Sequence, residues 1–272
     1  MMKNVLSFQK MKMKNKKIVM LTAYDYPSAK YAEIANVDVL LVGDTLGMVV
    51  LGYENTLQVT LDDIIYHTKA VRRGAKNTFI IADMPFGSYH ISDEETRKNA
   101  IRLITETGAN AVKLEGGSEN RLATIKTIRS ISDCEIPVVA HLGLTPQSIN
   151  SIGGYKIQGK KDAQYQQILQ QAIDVEKAGA FMLVLEAIPE KLGKEISENI
   201  SIPTVGIGAG KYTDGQVLVY HDILGMSDFQ PKFVKKYANL EELISNKIGE
   251  YCDDVKSEKF PQKENIYYPI ED

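Results

Sequence analysis

Three carboxylates stand out by where they fall. Asp44, Asp83 and Glu115 each close a short apolar run, in DVLLVGD (38–44), FIIAD (79–83) and AVKLE (111–115). Runs of this length, rich in β-branched residues, read as strands buried on both faces. A buried carboxylate is costly unless something compensates it. Three of them at the exits of consecutive strands suggest one shared cation. Neighbouring strands lie about 4.8 Å apart, so three adjacent exits can converge. Oxygen ligation without His or Cys points to a hard cation, Mg²⁺ first. Mg²⁺ usually keeps water sites and binds through one or two carboxylates plus substrate, so one of the three can act through a water. Taken singly, each acid could instead cap a following helix or pair with a nearby base.

Other groups gather at the same kind of position. Lys113 lies two residues before Glu115, so both point to the same side of one strand. A lysine packed among carboxylates has its charge stabilised, which favours an electrostatic anchor for a substrate carboxylate over a Schiff-base nucleophile. Glu186 ends the apolar run FMLVLEA, surroundings that suit a general base. It could also be an acid ahead of the helix opened by Pro189. His141 in VVAHLG could polarise a carbonyl or simply hydrogen-bond among its neighbours. The GIGAG turn (206–210) could cradle a phosphate or serve as a bare-backbone exit. Tyr24, Asp25, Thr45, His221 and Asp222 complete the ring of polar strand exits. His67 and His90 read as ordinary polar positions.

The elements that would hold these groups alternate along the chain. Strand-like runs fall at 17–24, 38–44, 79–85, 111–116, 137–143, 181–187 and 203–210, with a shorter eighth, VLVYHD, at 217–222. Between them lie amphipathic helices. Pro27 and Ser28 open one, Thr60 caps another that runs through Arg73, and Ser92 with Glu95 forms a capping box for a third that Gly108 ends. Further helices are expected at 118–131, 162–178, 189–199 and 239–252. Eight strands alternating with helices predict a parallel (β/α)₈ TIM barrel in a single domain, with every strand exit on one face. An open doubly wound sheet would want G-x-G-x-x-G after the first strand, and TAYDYP is not that. The expected organisation is a basic lead-in over 1–16, the barrel with its C-terminal helix over 17–252, and a polar tail over 253–272.

Bulk properties narrow the function classes. The 272 residues, 44% of them hydrophobic, suffice for a large core. A net charge of −3 gives no general drive toward nucleic acid or anionic membrane. The lysine-rich start lacks the apolar middle of a signal peptide and reads as a solvated lead-in, not a nucleic-acid arm. Two cysteines without metal-like spacing fit a reducing cytosol. No apolar run approaches the roughly 18 residues of a transmembrane helix.

Longer strings carry a resemblance. TAYDYPSAK, TLQVTLDDIIYHTKAVRRG, ADMPFGSY, AVKLEGG, GLTPQS followed by GGYKIQG, LVLEAIP and VGIGAGKYTDGQVLVYHDILG together resemble the ketopantoate hydroxymethyltransferase family, from about residue 8 to about residue 260. The resemblance implies a (β/α)₈ barrel that moves a one-carbon unit from 5,10-methylenetetrahydrofolate to 3-methyl-2-oxobutanoate, using Mg²⁺, on the way to pantothenate and coenzyme A. It implies that Asp44 and Asp83 ligate the metal, with Glu115 directly or through water. It further implies that Asp44, Thr45, Asp83 and Lys113 contact the substrate and that Glu186 accepts the proton. A cytoplasmic homo-oligomer, a decamer, is implied as well. The family usually has Ser where this chain has Thr45. The nearest rival on residues alone is an Mg²⁺-dependent lyase of the isocitrate lyase kind, which would not need folate.

Overall fold

The strands between Val39 and Glu186 are buried on both faces, as their near-continuous apolar runs predict. A computed structural model describes residues 2–116, 121–227 and 231–269. Its strands are β1 (Ile18–Thr22), β2 (Val39–Val42), β3 (Phe79–Asp83), β4 (Ala111–Glu115), β5 (Val138–Gly143), β6 (Ala180–Glu186), β7 (Thr204–Ile207) and β8 (Gly215–Leu218). They pair in parallel in chain order and β8 pairs with β1, which closes the expected barrel. The helices are α1 (Val5–Met13), α2 (Tyr26–Ile34), α3 (Leu46–Val49), α4 (Leu61–Gly74), α5 (Asp93–Thr107) and α6 (Arg121–Ser132), then α7 (Ile149–Ile152), α8 (Asp162–Lys177), α9 (Glu190–Asn199), α10 (Tyr220–Leu224) and α11 (Leu240–Lys256). The chain forms two compact units, Met1–Tyr220 and His221–Asp272, and all eight strands belong to the first.

Each strand has two faces of different company. Leu40, Ile80, Val112 and Leu114 point outward and share a core with Ile64 and Val71 of α4 and Leu103 of α5. The alternate residues fill the barrel: Phe79 and Ile81, Ala111, Val139, Met182 and Val184. Continuing each inward series in steps of two residues gives Asp83, Lys113 and Glu115, His141 and Glu186. The apolar filling therefore ends, and the charged groups begin, at the C-terminal ends of the strands.

Local signals set the helix starts. Asp25 and Ser28 cap α2 reciprocally, with Pro27 in its first turn. Thr60 and Asp63 do the same for α4. Ser92 accepts from the Glu95 N–H, but only that half of the expected capping box is present. Gly108 ends α5 in the left-handed region at φ 73°. The expected start of α6 at residue 118 lies outside the described residues.

Three expectations are corrected. The basic start is not a solvated lead-in: α1 forms there, capped by Asn4 and Ser7, and buries Phe8 completely. Phe8 stacks edge-on against Phe79, the first residue of β3, at 5.1 Å between centroids. The lysines are engaged too, Lys3 with Asp38 at 2.9 Å and Lys12 with Asp214 at 2.8 Å. The eighth strand ends at Leu218, so His221 and Asp222 sit in α10 and not on a strand exit. Within the second unit α11 continues past residue 252 to Lys256 and exposes its full length, Ile248 and Tyr251 included.

Candidate active site

Strand register sets the site side by side. Asp83 pairs with Lys113 across β3 and β4, and Glu115 pairs with His141 across β4 and β5. Glu186 lies opposite Gly143 across β5 and β6. Asp44 follows β2 by two residues, and its backbone N–H donates to Asp83 Oδ2 at 3.2 Å. Asp44, Asp83, Lys113, Glu115 and His141 are all buried, each 7% exposed or less. Glu186 is more open than its apolar strand predicts, with its side chain 17% exposed.

The charges form a chain of contacts. Lys113 Nζ lies 2.8 Å from Asp83 Oδ1 and 3.8 Å from Glu115 Oε1. His141 Nδ1 lies 3.5 Å from Glu115 Oε1, and its Nε2 lies 3.3 Å from Glu186 Oε2. Asp83 Oδ1 and both His141 nitrogens are buried without an aligned hydrogen bond. They are therefore held by charge more than by directed bonds. Four carboxylates thus face two cationic groups, and the excess is negative.

The electrostatics follow from that excess. Burial, then the neighbouring Asp83 and Glu115, push the Asp44 carboxyl well above the usual range. Burial likewise raises Asp83, against the pull of Lys113. Burial opposes the charge on Lys113, but Asp83, Glu115 and Asp44 together outweigh it and raise its pKa. Glu115 is held low despite burial, by His141 and Lys113. Two carboxyls whose charge is disfavoured by burial and by acidic neighbours are a place that a divalent cation would stabilise. Among the described residues no three His, Cys, Asp or Glu side chains form a metal-binding group on their own. Glu115 is already committed to Lys113, His141 and the Gln147 backbone. Asp44 and Asp83 are therefore the two oxygen donors that would suit a hard cation such as Mg²⁺.

The other expected groups divide. Thr45 is half-buried beside Asp44 and spends its hydroxyl on no helix cap. Asp25 faces solvent as the cap of α2. His67 is bonded to the Tyr24 carbonyl at 2.6 Å, a structural role. Two of the three GIGAG glycines serve close packing: a Cβ on Gly206 would meet Thr213, and one on Gly210 would meet Glu190. His90, expected to be unremarkable, lines a cleft of about 600 Å³ together with Phe86, Tyr89, Glu115 and Gln147.

Comparison with known sequences places the chain. The ketopantoate hydroxymethyltransferase family model matches residues 2–263. The chain belongs to that family. A 3-methyl-2-oxobutanoate hydroxymethyltransferase from Geobacillus sp. (strain WCH70) is 55% identical over 98% of this chain and 94% of its own length. The protein of that name from Bacillus subtilis (strain 168) is 53% identical, covering 98% and 95%. Among solved structures, 2,3-dimethylmalate lyase, a PEP mutase/isocitrate lyase superfamily member, superposes with a TM-score of 0.62 at 13% identity, covering 99% of this chain and 93% of that one. Phosphonopyruvate hydrolase gives 0.63 at 11%, covering 99% and 92%. At that identity the lyase likeness is one of fold, so family membership rests on sequence.

Two residues of the site carry no signal at a strand exit. Gln147, in the turn Pro146–Ser148 after β5, is 4% exposed. It donates to Asp44 from its side chain and to Glu115 from its backbone. Tyr89, between β3 and α5, donates its hydroxyl to Gln147 at 2.6 Å. GLTPQS and ADMPFGSY, the strings that hold them, resemble the family, and that was the only clue available in the sequence.

Proposed function

We propose that this chain is a 3-methyl-2-oxobutanoate hydroxymethyltransferase that uses Mg²⁺ and takes its one-carbon unit from 5,10-methylenetetrahydrofolate. The observation that carries the reading is the Asp44–Asp83 pair, buried and short of positive charge, with Lys113 beside it and Glu186 across His141.

Asp44 and Asp83 would hold the cation, with Glu115 acting through a water. When bound, Mg²⁺ supplies Lewis-acid polarisation of the keto oxygen of the oxo acid. Lys113, kept charged by its acidic neighbours, anchors the substrate carboxylate and is not the amine of a Schiff base. Thr45, next in the chain to Asp44, keeps the hydroxyl donor that the family's Ser would offer. Glu186 removes the proton from C3, and His141 at 3.3 Å orients it and stabilises its charge. Water first releases the methylene unit from the folate as formaldehyde, leaving tetrahydrofolate. The C3 nucleophile then adds to the formaldehyde carbon, and its oxygen takes up the proton to give 2-dehydropantoate. The cleft of about 600 Å³ beside Glu115 is in the size range of small-molecule sites.

The test isolates the proton step. In deuterium oxide with Mg²⁺ and no folate, exchange at C3 of the oxo acid is followed by proton NMR. Glu186→Gln is expected to slow it at least about 100-fold. Near-normal exchange would remove Glu186 from the base role.

A further inference from the structure

Gln147 spends every polar atom of its side chain inside the mouth of the barrel. Nε2 donates to Asp44 Oδ2 at 2.7 Å and to the Met84 carbonyl at 3.0 Å. Oε1 accepts from the Tyr89 hydroxyl at 2.6 Å. The backbone N–H donates to Glu115 Oε2 at 2.9 Å. One residue from the loop after β5 thus ties together the exits of β2, β3 and β4.

The orientation of the amide is determined by its partners. A carbonyl only accepts, so Met84 requires the NH₂ end. The Tyr89 hydroxyl receives the Glu115 N–H at 3.3 Å and has one hydrogen to give. Gln147 Oε1 is its nearer acceptor, at 2.6 Å against 3.4 Å for the Glu115 carbonyl. Both constraints turn Nε2 toward Asp44. The bond engages Oδ2 alone, so it fixes the plane of the carboxylate and leaves Oδ1 to face another partner.

We propose that Gln147, locked by Tyr89, is a positioning residue that presents Asp44 to the divalent cation. The inference rests on the metal-dependent function proposed above. Outer partners of metal ligands of this kind typically change metal affinity about 10- to 100-fold when removed.

The experiment measures Mn²⁺ binding to the substrate-free protein by EPR of the free ion, with melting temperature alongside. Gln147→Met, which keeps the length and loses both ends of the amide, is expected to bind about 10- to 100-fold more weakly. Tyr89→Phe is expected to weaken binding in the same direction by less. In C3 exchange, both variants should need more metal for half-maximal rate yet approach the wild-type rate when saturated, a split that general loosening of the fold does not give. Wild-type affinity in both variants would overturn the positioning role and leave the function standing. A wild-type protein that binds no Mn²⁺ either alone or with the oxo acid present would overturn the function and the positioning role together. If Gln147→Met does not fold, Tyr89→Phe decides: unchanged affinity rejects the proposal and weakened affinity supports it.

Discussion

At the scale of single residues the site is a problem in charge placement. His141 shows it best. Burial alone would pull the imidazole down, but Glu115 and Glu186 on either side outweigh it and hold it at about 9, from 6.5. A group whose pKa is higher in the folded state stabilises the fold fully below its unfolded value. It loses that contribution as pH rises through the folded one. The metal-free protein should therefore lose melting temperature relative to His141→Gln between about pH 7 and about pH 10. Parallel pH curves for the two proteins would show that the imidazole is neutral in place. Asp44, Asp83, Lys113, Glu115, His141 and Glu186 were legible from the sequence because each continues or closes an apolar run, where a charge has no structural excuse. Gln147 and Tyr89 were not. They are polar residues in loops, where polar residues belong, and only the folding of those loops makes them part of the mouth.

At the scale of elements, the loop after β5 depends on one backbone conformation. Gly143 has φ 95°, and a Cβ there would lie 2.2 Å from the Glu186 carbonyl. That close approach lets Leu144 N–H bond the same carbonyl at 2.9 Å and turns the chain so that Gln147 reaches inward. Gly143→Ala meets both a steric and a conformational barrier and should cost at least about 2–3 kcal/mol. Gly52 is the control. It has φ 73° with nothing within 4 Å of its would-be Cβ, so Gly52→Ala should cost only about 1 kcal/mol. Denaturant midpoints of the two variants test this, and equal shifts would contradict the packing argument. The same comparison explains what a pattern of residues conveys. Strand and helix periodicities were visible because they repeat. The tyrosine and histidine of VLVYHD were misassigned because four apolar and aromatic residues suit a strand end and a short helix equally.

At the scale of the barrel, α1 is the element whose role the sequence hid. It lies in a lysine-rich stretch, and its single buried side chain, Phe8, is invisible to any test of periodicity. Phe8 belongs to the apolar cluster that fills the barrel, at the end opposite the charged mouth. Phe8→Ala should cost about 3–5 kcal/mol of stability. It should leave the C3 exchange rate near wild type while the protein remains folded, since nothing in the site touches it. A lost exchange rate in folded protein would show coupling between the two ends.

The pairing of Lys12 with Asp214 spans 202 residues. Asp214 also accepts from the backbone and hydroxyl of Thr204, the first residue of β7, and sits immediately before β8. A segment synthesised ahead of every strand therefore waits for a partner that emerges after seven of them. Contacts so distant along the chain form late and slowly. During synthesis Lys12 therefore stays without this partner until β7 is complete, and the bond ties the start of the chain to the seam between β7 and β8 that closes the ring.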